Sequence, residues 1–306
     1  MKLNWTYQAA AGVKLYTFLR QVGLSRAQIK RVKFHGGELF VNQAPVHTNY
    51  VLAPGDVVAV TLAPDAVSDN VIPYTAPLEI IYEDPYFLVV NKPAGSASIP
   101  DVAKSPDTMA NRVKAYLIAT HAESTAIHVV TRLDRDTSGL ILFAKHSLAH
   151  SLIDAQLHTP QMQKRYVAIV SGQAALPPHG WIVLRLGRTT EFYMQRGVTP
   201  EGKLSVSEYW VQAHHAAAWQ VQVLLHTGRT HQIRAHFQAL GHPLYGDDLY
   251  GGPMQGITRQ ALHCAELSFW HPFLQKQISL TAPLPQDMVA LQQTLGLSAN
   301  AIGKPL

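Results

Sequence analysis

From Pro77 onward the chain is built of short apolar runs of strand length, and this pattern narrows the fold more than any other feature. Glu79-Ile-Ile-Tyr, Phe87-Leu-Val-Val-Asn, Gly139 to Ala144 and Arg165-Tyr-Val-Ala-Ile-Val170 all read as strands. Trp219, Val221, Val223 and Leu225 alternate with Gln220, Gln222 and Leu224, which predicts a half-buried strand. Helical spacing runs from Thr108 to Ala119, with Asp107 or Thr108 as cap. It returns after Thr230, a candidate cap, through Ile233, Phe237 and Leu240, until Gly241 and Pro243 stop it. Strand and helix do not alternate regularly, and no glycine-rich dinucleotide loop is present. The expectation is therefore an α+β fold with a mixed, mostly antiparallel sheet and helices packed on it.

One turn between these runs carries far more charge than chain reversal requires. Arg132-Leu-Asp-Arg-Asp-Thr-Ser-Gly139 puts two arginines, two carboxylates and two hydroxyls between apolar segments. A simple turn needs Gly, Asn, Asp or Pro and has no use for Arg132 and Arg135 bracketing Asp134. Flanking guanidinium groups favour the ionised carboxylate, and a positioned carboxylate can serve as nucleophile or general base. The plainer reading is a surface turn held by an Asp–Arg pair. Asp136, the competing carboxylate, is assigned to bonding the turn backbone. Tyr166 follows Lys164 and Arg165 at the start of a strand. It is either a core residue with its hydroxyl at the rim or a stacking platform for an unpaired base. Arg229 is expected at the start of the later helix and Arg234 in its first turns.

The stretch Ala63 to Ala76, with two prolines and no periodicity, reads as a linker between residues 1–62 and 77–306. Within the first block the ordered core is expected over residues 13–62. Leu15, Phe18, Leu19 and Val22 recur at helical spacing up to Gly23. Ser25 then caps a second helix, with Gln28 at the capping-box position. That helix carries Arg26, Lys30, Arg31 and Lys33 without a carboxylate, a face suited to phosphate contacts or simply to solvent. Short strands follow at Glu38-Leu-Phe-Val-Asn42 and Val57 to Leu62.

A net charge of +5 favours a polyanionic partner only weakly. The single cysteine, Cys264, excludes an internal disulfide framework and fits a reducing cytoplasm. His231 and His236, among 16 histidines, are five apart, so they do not share a helix face and no metal site is expected. The first residues lack the apolar run of a signal peptide, and no later run reaches membrane-spanning length, so no membrane partner is expected.

The word Arg-Leu-Asp-Arg-Asp-Thr-Ser-Gly resembles the catalytic motif of the RluA family of RNA pseudouridine synthases. Other family words recur in order: Val89-Val-Asn-Lys-Pro-Ala-Gly95, Lys164-Arg-Tyr166, Thr227-Gly-Arg-Thr-His-Gln-Ile-Arg234, Gly241-His-Pro-Leu-Tyr-Gly-Asp247 and Leu262-His-Cys-Ala-Glu-Leu. Ser25-Arg-Ala-Gln-Ile-Lys30, Gly37 to Asn42 and Pro54-Gly-Asp56 resemble the small alpha-L RNA-binding domain. The resemblance implies catalysis by Asp134, stacking of Tyr166 on the target uracil, orientation of Asp134 by Arg234, and RNA contacts from Arg132 and Arg229. Arg26, Lys30, Arg31 and Lys33 would contact RNA from the first block. It implies a monomeric enzyme that isomerises uridines of large-subunit ribosomal RNA or transfer RNA without a cofactor. A non-catalytic RNA-binding protein on the same fold is the alternative. A glycosidase is less suited, since it normally needs a second positioned carboxylate. The family usually has His where this chain has Thr131, and the stretch from Trp181 to Pro200 matches poorly, which marks it for target-specific contacts.

Overall fold

The computed structural model describes residues 2–62, 65, 67, 71–100, 106–157, 159–189 and 195–297. Its first block contains β1 (Lys2–Thr6), β2 (Val13–Lys14), α1 (Leu15–Gln21), α2 (Arg26–Phe34), β3 (Glu38–Val41), β4 (Ala44–Pro45), β5 (Val51–Leu52) and β6 (Val57–Thr61). The expected capping box forms at α2. Ser25 Oγ accepts from the Gln28 N–H at 3.1 Å, and Gln28 Oε1 accepts from the Ser25 N–H at 2.7 Å. β1 was not anticipated, because the ordered core was expected to begin at residue 13. It pairs antiparallel with β6, Trp5 opposite Val58, so its partner lies far away in sequence. The sheet order is β1-β6-β3-β4.

The second block contributes β7 (Glu79–Glu83), β8 (Phe87–Lys92), α3 (Met109–Ala119), β9 (His128–Val129), β10 (Ser138–Ala144), α4 (Ser147–Asp154), β11 (Met162–Ser171) and β12 (His179–Arg188). It continues with β13 (Arg196–Val198), β14 (Lys203–His215), β15 (Ala218–Leu225), α5 (Gln232–Ala239), β16 (Leu262–His271), β17 (Lys276–Thr281) and α6 (Gln286–Thr294). The main path of its 11-stranded sheet is β13-β12-β14-β15-β11-β16-β10-β8-β7. All pairings are antiparallel except β10 with β16, which makes the sheet mixed as expected. Thr108, not Asp107, caps α3.

Helices cover both faces of the sheet centre. One face of β8, β10 and β11 presents Val89, Leu142, Tyr166 and Ala168 to Ala149 and Ile153 of α4 and to Ile233 and Phe237 of α5. On the other face, Val90 and Phe143 meet Val113 and Leu117 of α3, while Val167 and Ile169 meet Met288 and Leu291 of α6. This corrects the half-buried reading of Trp219 to Leu225. Gln220 and Gln222 are buried as well, because α6 covers that side and Gln292 donates to Gln220. Polar identity at alternate positions marks a hydrogen-bonded interior pair here rather than a wet face.

α4 also joins the two blocks. Its Leu148 is fully buried among Leu15, Phe18, Leu19 and Leu24, and Leu152 packs against the same cluster. Asp65, in the expected linker, accepts from Arg31 Nη1 at 2.9 Å and from the Ser147 N–H at 2.7 Å, and lies 3.0 Å from His128 Nε2. These partners hold its carboxyl well below the usual range despite burial.

At the start of β10, Gly139 adopts φ +114° where the strand runs against Cys264, and a Cβ there would collide with the Cys264 backbone. Gly95 also has positive φ (+85°), but open space surrounds the place of its missing Cβ. Gly95→Ala is expected to cost about 1–2 kcal/mol for the backbone alone. Gly139→Ala should lose a further ~1–3 kcal/mol from overpacking, read as a lower urea midpoint. Equal midpoints for the two variants would show that the β10–β16 approach is not tight.

Candidate active site

Asp134 stands in the turn that feeds β10, and side chains from distant segments hold the Leu133 N–H and the carbonyls of Leu133, Arg135 and Asp136. Ser98 Oγ accepts from the Leu133 N–H at 2.9 Å and donates to the Leu133 carbonyl at 2.7 Å. Lys92 Nζ donates to the carbonyls of Arg135, Ser96 and Pro93 at 2.7, 2.6 and 2.9 Å, which uses all three ammonium protons. Its burial pushes the pKa down to about 7, against the pull of Asp136 and Asp134. Arg259 Nη1 donates to the Asp136 carbonyl at 3.1 Å, while its other nitrogens grip Asp287 of α6 at 2.7 and 2.9 Å. Gln260 donates to Thr137 Oγ1 at 3.2 Å.

Thr131 has a local role. Its Oγ1 accepts from the Leu142 N–H at 2.9 Å, closing the mouth of the strand from a buried position. Asp136 differs from expectation. Its carboxylate pairs with the Arg135 guanidinium at 3.1–3.2 Å instead of bonding the turn backbone. Two adjacent side chains at the exposed edge satisfy each other there.

The turn forms one wall of a cleft of about 450 Å³ that Tyr166, Lys164, Arg132, Arg229 and Arg234 also line. Asp134, Tyr166 and Arg234 are thus brought together from residues far apart in sequence. Arg234 is almost fully buried. Its Nε and Nη2 donate to the two oxygens of Asp247 at 2.7 and 2.8 Å, and its Nη1 donates to Asp134 Oδ2 at 3.4 Å. The stronger partner is therefore Asp247, which is wholly buried and to which sequence reasoning gave no role. With its charge already matched by Asp247, Arg234 can orient Asp134 while the three-residue cluster keeps a net negative charge. Tyr166 is buried, and burial together with Cys264 and Asp134 raises its phenol well above the ordinary value, so the hydroxyl keeps its proton.

Thr230 does not cap the helix. α5 begins at Gln232 and its N-cap is His231, left-handed at φ 55°, with no side-chain cap bond. Gln232, the first helical residue, instead ties the preceding loop to the helix start. Its Oε1 accepts from Thr227 Oγ1 at 2.7 Å and from the Arg229 N–H at 3.0 Å. The left-handed residue places His231 Nε2 3.9 Å from Asp134 Oδ2 and Nδ1 3.2 Å from Tyr250 Oη. Burial lowers the His231 pKa against the pull of Asp134. Sequence reasoning tested this histidine only as a metal ligand. Its place in the Thr-Gly-Arg-Thr-His word was the available signal.

Arg132 is exposed at the cleft, and Arg229 Nε donates to the Leu204 carbonyl at 3.3 Å beside it. Arg26, Lys30 and Lys33 lie exposed on α2, away from the cleft lining, whereas Arg31 is tied to Asp65. Among the described residues, no group of three or more His, Cys, Asp or Glu side chains is placed to hold a metal ion.

Breaking the Arg234–Asp247 pair strands a buried charge. Asp247→Ala is expected to lose about 3–5 kcal/mol in urea unfolding. Asp287→Ala removes a carboxylate that is 44% exposed and leaves the buried Arg259 its carbonyl acceptors, so it should lose less, about 1–2 kcal/mol. Similar losses for the two would contradict the buried pair as the anchor of the cleft.

Comparison with known proteins bears on what this cleft is for. The family described as RNA pseudouridylate synthase is matched over residues 86–239, which include Asp134, Tyr166 and Arg234. An uncharacterized RNA pseudouridine synthase of Bacillus subtilis, YjbO, is 41% identical over 89% of this chain and 95% of its own length. Ribosomal large subunit pseudouridine synthase D of Xylella fastidiosa is 33% identical over 85% of this chain and 81% of its own. The solved structure of human RNA pseudouridylate synthase domain containing 4 shares the fold. Its TM-score is 0.60 at 19% identity, covering 72% of this chain and 94% of that one. With its motif words gathered at one cleft and such identity over nearly its whole length, the chain belongs to the RluA family of RNA pseudouridine synthases.

Proposed function

We propose that the protein isomerises uridines of large-subunit ribosomal RNA, with Asp134 as nucleophile or base toward the target nucleoside. The observation that carries this reading is the Arg234 bridge: one guanidinium clamped by Asp247 and directed at Asp134, in a cleft roofed by a protonated tyrosine. The reaction breaks the bond from the uracil nitrogen to the ribose, turns the ring, and joins its fifth carbon to the sugar. That carbon loses a proton and the freed nitrogen gains one, so the isomerisation is redox-neutral and calls for no cofactor. The target base must leave the RNA stack to enter a cleft of this kind. Tyr166 is assigned to stacking against it, Arg132 to the RNA beside the vacated position, and Arg229 to the strand at the cleft mouth.

The ribosomal choice is supported by relatives named for the large ribosomal subunit, and transfer RNA is the other class the family resemblance implies. Residues 1–62 are proposed as an alpha-L type RNA-binding domain, 63–76 as the linker and 77–306 as the catalytic domain. Arg26, Lys30 and Lys33 would contact phosphates, while Arg31, held by Asp65, joins the blocks. A monomer working in the reducing cytoplasm is proposed, in keeping with the buried free thiol of Cys264.

RNA labelled with tritium at the fifth uracil carbon, prepared from cells lacking this gene, tests the activity. Wild type should release tritium to water and Asp134→Ala should not. Equal release by both would remove Asp134 from the mechanism, and none from wild type would favour a binding platform without catalysis. Replacing Arg26, Lys30 and Lys33 together by Ala should reduce the slope of log affinity against log salt by about 2–3. An unchanged slope would remove α2 from the RNA contact.

A further inference from the structure

The poorly matched stretch that begins at Trp181 belongs to a feature the cleft does not use. In β12, β14, β15 and β11 one set of side chains faces the cleft and the α5 side, and the alternate set faces the opposite side of the sheet. On that opposite side α6 covers Val167, Ile169 and Ala218. Towards β12 the surface carries an ordered array of rings. Trp181 stacks on His226 with ring centres 4.8 Å apart at 24°, and His179 stacks on Trp210 at 5.1 Å and 16°. One carboxylate ties the two stacks together. Glu208 Oε1 lies 2.8 Å from His179 Nε2, and Oε2 lies 3.0 Å from His226 Nε2. The Arg165 guanidinium sits 5.5 Å from the centre of the Trp210 ring, and its buried Nη1 has no hydrogen-bond partner among the described residues.

Several observations separate this array from an ordinary sheet face. Trp181 is 54% exposed, a large apolar surface to leave in water, and the ring it stacks on is held by a hydrogen bond rather than free to turn. The array also adjoins the mouth of the cleft. His226 directly follows Leu225, which lines the cleft, and Arg165 lies between Lys164 and Tyr166, which do the same from the other side of β11. A strand delivering a base into the cleft can therefore pass round the end of β15 onto these rings. Pre-ordered flat rings beside a guanidinium suit unpaired bases, each with a π-face, linked by phosphates.

Resting on the proposed RNA substrate, we propose that the Trp181–His226 and His179–Trp210 stacks form a platform for unpaired nucleotides flanking the target uridine. Val183 and Leu204 are also exposed on this face, so a protein partner is the competing occupant that the test must separate.

The probe is a fluorescein-labelled oligouridylate of about 20 nucleotides, with a duplex of equal length as control. Trp181→Ala and Trp210→Ala are each expected to weaken oligouridylate binding roughly tenfold and duplex binding little, with Trp181→Phe restoring most of the loss. In tritium release Trp181→Ala should raise KM and leave kcat unchanged, which also shows that the variant is folded. Oligouridylate carrying 5-bromouridine should crosslink to Trp181 or His226. Unchanged oligouridylate affinity in both variants, or crosslinks confined to cleft residues, would overturn the platform and leave the face to a protein partner. That result would leave the Asp134-dependent release standing. Conversely, absence of release from wild type would sink the catalytic reading, while the binding measurement still scores the platform.

Discussion

A single buried guanidinium governs how this cleft is built. Arg234 is too far from water to exist without counter-charge, and Asp247 supplies it through two short bonds. Its remaining nitrogen reaches Asp134 at 3.4 Å, a longer and weaker contact. The asymmetry matters chemically. With its charge met by Asp247, the guanidinium turns its spare edge to Asp134 and restricts the orientation of that carboxylate. The ring of Tyr250 lies over the same guanidinium at 5.0 Å and closes its other side.

Orientation from the side chain would be useless if the backbone of the turn could drift. The carbonyls of Leu133, Arg135 and Asp136 accept from Ser98, Lys92 and Arg259, each from a different part of the chain. Arg259 extends the restraint to α6 through Asp287, and Gly139 lets β10 meet β16 in parallel where a side chain would force them apart. The turn carrying Asp134 therefore enters the sheet where β10 runs parallel to β16.

What was legible in the sequence divides along the range of the interactions. The Ser25–Gln28 capping box, the Thr108 cap and the strands around Val89 and Ile141 depend on neighbours within a few residues, and periodicity or cap chemistry reveals them. Motif words carried Asp134, Tyr166 and Arg234, though they could not show that Arg234 bonds first to Asp247. β1 was missed because its partner β6 is remote. The interior status of Gln220 and Gln222 was missed because it depends on α6, a helix from the far end of the chain. The place of His231 beside Asp134 was missed because it depends on a left-handed backbone that periodicity does not reveal, and only its motif word hinted at it.

The same ion pairs bear on where the net charge of +5 lies. Many of its carboxylates are spent within the fold: Asp65 on Arg31, Asp107 on Arg112, Glu83 on Lys145, Asp247 on Arg234 and Asp287 on Arg259. Each such pair is electrically silent at a distance of about a Debye length, ~8 Å at physiological salt. Arg26, Lys30 and Lys33 on α2 and Arg132 at the cleft are exposed. Each pair takes up one cation with each anion, so the surplus of +5 is unchanged and pairing alters only which side chains carry it. The buried pair of Arg234 with Asp247 thus fixes the geometry of the cleft, while the charge surplus is left to side chains such as Arg132 at its edge.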